Sequence, residues 1–149
     1  MKGAASVLSL VTALSVALPA QAGRDQARFT VSAVVPVRVT LTALEEPSEM
    51  AISAADLERG YKDIGATYHV SHNDRRGYLL SLSPRLGVTR EVEVRGLSAA
   101  LVMREESVEI VQRGPPGSHE LALGFRFVLD PAAVPGRYRL PVLVTARPL

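Results

Sequence analysis

The chain has 149 residues, with 17 Lys and Arg against 15 Asp and Glu for a formal net charge of +2, and it contains neither cysteine nor tryptophan. So small a charge imbalance does not argue for a nucleic-acid partner, and the missing thiols exclude cysteine catalysis, Cys-based metal sites and disulfides. With three Phe and four Tyr, aromatic platforms for bases or sugars are also poorly supplied.

The first 22 residues read as a leader. Met1-Lys2 is a short positive start, residues 4–18 are apolar apart from small Ser and Thr, and Ala20-Gln21-Ala22 has the form of a cleavage signal. That apolar run, followed by Pro19, is too short for a membrane span. The expectation is a secretory signal peptide over residues 1–22 and one domain over residues 23–149. The mature chain then has no membrane span and resides in the periplasm or at the cell surface. Its 127 residues (149 − 22) suffice for a domain with its own core.

Residues 28–41 set the pattern for the rest. Phe29, Val31, Ala33, Val35, Val37, Val39 and Leu41 alternate with mostly Arg, Thr and Ser. A period of two predicts one long strand with a single buried face. An acidic turn follows at residues 45–49. Residues 53–59 predict a short helix capped by Ser53 and ended by Gly60. Residues 66–72 alternate again. Turn formers at 73–77 and the run Tyr78-Leu79-Leu80-Ser81-Leu82 complete a hairpin signature.

Pro84 and Gly87 close that second strand. Residues 88–94 alternate, residues 97–103 are a short apolar run, and residues 108–112 predict another strand before the break at Gly114-Pro115-Pro116-Gly117. Leu121, Leu123, Phe125, Phe127 and Leu129 share one face of the next strand. In residues 137–146, Tyr138, Leu140, Val142 and Val144 point inward while Pro141 points outward, which places this strand at an edge or its proline at a bulge. Repeats and low-complexity segments are absent.

About seven to nine short strands with one wet face, and no long amphipathic helix, predict an all-β fold. The expected architecture is an immunoglobulin-like antiparallel β-sandwich behind the signal peptide, with barrel closure as the alternative. A parallel α/β fold would need crossover helices that the sequence lacks.

Residues capable of chemistry are scattered. On a strand, His69 and His72 point to opposite faces, and His119 is far away in sequence, so no metal site is expected. No serine lies in a Gly-x-Ser-x-Gly elbow or a Ser-x-x-Lys motif. Asp56, Glu58 and Asp63 lack the tight alternation of a calcium loop, and no glycine-rich phosphate loop leads from a strand into a helix. The expectation is a protein without enzymatic activity, cofactor or resident metal.

Phe29-Thr30-Val31-Ser32-Ala33-Val34-Val35 after a leader resembles the first strand of bacterial pilus (fimbrial) subunits and of spore coat protein U-like secreted domains. The hairpin with Asn73, Gly77-Tyr78 and Leu79-Leu80-Ser81-Leu82 is similar to theirs, as is the closing Pro135-Gly136, Tyr138, Val142 and Val144. The resemblance implies an incomplete immunoglobulin-like sandwich completed by a neighbour's strand, with a periplasmic chaperone and an outer-membrane usher as partners. Val37 stands where many members carry a cysteine. Residues 23–27 are too few to form a donor ahead of the first strand, so the subunit would accept a strand without donating one, unless residues 29–35 are themselves the donor.

The functional expectation is a non-catalytic exported structural subunit of a fimbrial or surface assembly, associating by β-strand complementation. Its candidate strand-pairing residues are Phe29, Val31, Ala33, Val35, Tyr138, Leu140, Val142 and Val144. The alternative is a self-contained monomeric periplasmic binding or accessory module that uses loops such as 50–61 or 73–77.

Overall fold

The computed structural model describes residues 30–85 and 87–149. The expected leader at residues 1–22 and Phe29 lie outside the described residues. The chain divides into Met1–Val34 and a second unit, Val35–Leu149, which holds the strands and the core.

Among the described residues, ten strands and one helix follow in order. They are β1 (Val39–Glu45), β2 (Glu49–Ile52), α1 (Ala54–Arg59), β3 (Tyr61–His72), β4 (Tyr78–Pro84), β5 (Thr89–Arg95), β6 (Leu101–Met103), β7 (Val108–Gln112), β8 (Gly117–Leu129), β9 (Gly136–Arg139) and β10 (Val142–Pro148). One sheet has the order β1-β3-β8-β5-β6, a second β10-β4-β7, and β2 pairs with β9 alone. All the pairings are antiparallel. The fold is an all-β sandwich, as the one-sided strand patterns predict.

The alternation that marks the strands also fills the core. Ala66, Tyr68 and Val70 of β3 meet Leu121, Leu123, Phe125 and Phe127 of β8 on the inner face of the larger sheet, and Tyr78, Leu80 and Leu82 of β4 close over them from the smaller one. Phe125 and Phe127 stack with ring centroids 5.9 Å apart. Burying each such side chain contributes about 1.5–3 kcal/mol.

The helix takes its predicted place. Ser53 caps it, its hydroxyl accepting from the Asp56 amide at 3.2 Å while the Asp56 carboxylate accepts from the Ser53 amide at 2.9 Å. Gly60 ends it at φ +79°.

Two expectations need correction. Residues 28–41 do not form one long strand: β1 begins at Val39, and residues 30–38 carry no strand. A strand lasts only while it has a partner. Val39 pairs with His72, the last residue of β3, after which the partner chain turns away through residues 73–77. Pro36, lacking an N–H, and the Asn73 side chain fix the entry. The Asn73 amide donates to the Pro36 carbonyl at 2.9 Å, and its carbonyl accepts from the Arg38 amide at 2.7 Å. The predicted parity survives within β1, where Val39 and Leu41 pack against the core.

The final strand is also two. Pro141 separates β9, paired with β2, from β10, paired with β4, so the chain changes sheets at the proline. The Pro141 carbonyl instead accepts from the Arg85 amide at 2.9 Å.

Candidate interaction site

Strand order leaves one edge of particular interest. In an immunoglobulin sandwich the strands A, B, E and D form one sheet and C, F and G the other. Here β1-β3-β8-β5 stand in the places of A-B-E-D, and β4 and β10 in those of C and F. Among the described residues no strand occupies the place of G, on the outer edge of β10. β1 runs close to β10 without pairing with it. Every second N–H and C=O along that edge of β10 therefore lacks a ladder partner among the described residues, which is the condition for adding a strand.

The candidate strand-pairing residues fall into two groups. Leu140, Val142 and Val144 belong to the buried core, and Tyr138 is half-buried with its hydroxyl donating to the Val134 carbonyl at 2.8 Å. Val31 and Val35 are 90% and 75% exposed and Ala33 is also exposed, so they form no buried face in the described chain. Val34 and Val37 add to this exposed apolar segment.

A second feature was hidden from sequence reasoning. His72 ends β3 and His119 lies near the start of β8, with Val70 opposite His119 and His72 opposite Gly117. The rings of His72, His119 and Tyr78 cluster at the end of the sandwich, with His72 and His119 centroids 6.3 Å apart. The Tyr78 hydroxyl and His119 Nε2 share a hydrogen bond at 3.1 Å, and His72 Nδ1 donates to the Asp74 carbonyl at 3.0 Å. Burial raises the pKa of the Tyr78 phenol, which stays neutral. The cluster lines a cavity of about 340 Å³ beneath the Gly114-Pro115-Pro116-Gly117 turn. The signal for it was available: His72 and His119 both fall on the inward parity of their strands, but only the β3–β8 register makes them neighbours.

The acidic residues near Gly60 are committed to structure. Asp56, 1% exposed, takes hydrogen bonds from Ser53, Lys62 and Arg59, and these hold its pKa well below the usual carboxylate range. Asp63 pairs through both oxygens with Arg126, which stacks 4.2 Å from the Tyr61 ring centroid. Among the described residues, no group of three or more His, Cys, Asp or Glu side chains is placed to hold a metal ion. No described helix is long and apolar enough to cross a membrane.

Comparison with known proteins finds no matching family model, no matching curated protein and no matching solved structure.

Proposed function

We propose that this protein is a non-catalytic, exported structural subunit of a fimbrial or surface assembly that associates with its neighbours by β-strand complementation. The observation that carries the reading is the outer edge of β10, unpaired among the described residues, in a sandwich where β1-β3-β8-β5 and β4-β10 follow the A-B-E-D and C-F order and β6 and β7 are added at the other edges. The exposed segment that holds Val31, Val34, Val35 and Val37 supports it from the other side, as a strand that this subunit supplies. Extended, residues 29–37 span about 30 Å, enough to cover the about 23 Å of the seven-residue β10. The leader-like residues 1–22 support export, and a periplasmic chaperone and usher would be the assembly partners of such a subunit.

The test is the oligomeric state of the mature chain. At about 100 μM, size exclusion with light scattering should give concentration-dependent oligomers. Val31→Asp with Val35→Asp should give monomers with an unchanged circular-dichroism spectrum. A mature chain that stays monomeric at every concentration refutes strand complementation.

One observation favours the alternative of a self-contained monomeric accessory module. Leu140, Val142 and Val144 are already 5–8% exposed without any added strand, so the core beneath β10 is closed rather than gaping. On that reading the contact surface lies on the loops at the sandwich ends.

A further inference from the structure

The cavity at the end of the sandwich contains a group that the architecture leaves unused. His72 is 6% exposed, and its Nδ1–H is committed to the Asp74 carbonyl, so Nε2 carries the free lone pair. That Nε2 has no hydrogen-bond partner among the described residues. Yet the sole side-chain polar atom sealed from solvent without a partner there is Thr89 Oγ1. The lone pair of His72 is therefore not walled in, and the His72 ring lines the 340 Å³ cavity together with Tyr78 and His119. A backbone carbonyl holding Nδ1–H while Nε2 faces an open space is how proteins orient an imidazole towards a metal.

The second imidazole is within reach of the same point. A metal–nitrogen bond of about 2.0–2.1 Å puts a metal about 3.2 Å from each ring centroid. Two imidazoles on one ion thus have centroids between about 5 and 6.4 Å apart, from tetrahedral to linear. The observed 6.3 Å lies at the wide, near-linear end of that range, about 1 Å beyond the tetrahedral spacing. His119 is exposed and can close the remaining distance, exchanging its hydrogen bond with Tyr78 for the ion.

We infer that His72 and His119 form a two-imidazole site for a divalent transition ion of the Zn²⁺ and Cu²⁺ class. Imidazole is a preferred ligand of both, and Cu²⁺ is the tighter binder of the two. Water completes the coordination, for which the cavity has room. The neighbouring charges are modest: the Asp74 carboxylate is paired with Arg76 at 2.8 Å, and Arg113 on the cavity wall is exposed and screened by solvent. The expected affinity is that of two ligands, in the micromolar range.

The experiment is calorimetric titration of the mature chain with Zn²⁺ and with Cu²⁺, alongside His119→Gln, His72→Gln and His69→Gln. One ion should bind per chain. His119→Gln, at an exposed position, should keep the fold and weaken binding by at least about tenfold, the loss seen for even an outer partner of a metal ligand. His69→Gln, on the opposite face of β3, should bind as the parent does. Occupancy should also fall on acidification, since a protonated imidazole has no lone pair. If His72→Gln fails to fold, electron paramagnetic resonance of the Cu²⁺ complex decides: two coupled imidazole nitrogens in the parent and one in His119→Gln. Absence of saturable binding by either ion up to about 100 μM overturns the site, as does equal loss on His69→Gln.

Discussion

Two glycines of this chain share a left-handed backbone but differ in their surroundings, so together they separate strain from crowding. Gly60 has φ +79° and Gly77 φ +98°. A Cβ at Gly60 would meet nothing within 4 Å, whereas one at Gly77 would lie 2.0 Å from the Gln112 carbonyl oxygen and 3.0 Å from the Arg113 Cα. Both atoms are backbone at the end of β7, and Tyr78 pairs directly with Gln112. An alanine there is relieved only by pulling β7 away from β4. The left-handed conformation costs a residue with a Cβ about 1–2 kcal/mol at either site. Forcing a carbon into filled space adds about 1–3 kcal/mol at Gly77 alone. Gly60→Ala should thus cost about 1–2 kcal/mol and Gly77→Ala about 2–5 kcal/mol. The reduced entropy of the unfolded alanine chain applies to both and cancels in the comparison. Equilibrium urea unfolding measures each, with unchanged slopes required. A Gly77→Ala variant no less stable than Gly60→Ala refutes the β4–β7 contact on which the order of the smaller sheet depends.

Two other outcomes follow from the same packing and electrostatics. Phe127→Ala removes a fully buried ring stacked on Phe125 and should cost about 3–5 kcal/mol in urea unfolding, while Val134→Ala, at a position 61% exposed, should change stability by less than about 0.5 kcal/mol. Similar losses at the two positions would contradict the core. Asp56, hydrogen-bonded first to Ser53 and then to Lys62 and Arg59, has a folded pKa depressed below its unfolded value. Its contribution to stability is therefore complete above about pH 4 and is lost as the pH falls below that. Asp56→Asn should lower stability at neutral pH by about 1–3 kcal/mol and flatten the decline on acidification; an acid limb parallel to the parent's would refute the assignment.

Strand existence and facing were legible for most of the paired strands, but β2 was missed. Glu49–Ile52 pairs with β9 and buries Met50 and Ile52, where the sequence suggested a turn and a loop, because four residues are too few to show an alternation. Residues 108–112 match β7, and the inward series Leu121, Leu123, Phe125, Phe127 and Leu129 is buried as its parity predicts. The helix was readable from Ser53 and Gly60 because its signals are local: a side-chain cap at one end and a left-handed glycine at the other. Periodicity misled at residues 30–38, where the alternation is real but the residues are exposed and unpaired. Alternation states which side chains share a face, and it cannot state that anything lies against that face.

By itself, then, the sequence determined the all-β class, the inward parity of the longer paired strands, the capped helix and the want of thiol chemistry, because each depends on residues a few positions apart. Only the tertiary structure decided where β1 begins, that the chain changes sheets at Pro141, that the outer edge of β10 has no ladder partner among the described residues, and that His72 and His119 share a cavity. Those outcomes depend on the register between strands distant in the chain, such as His72 opposite Gly117. Register is an agreement between two segments and the core they cover together, so neither segment carries it alone.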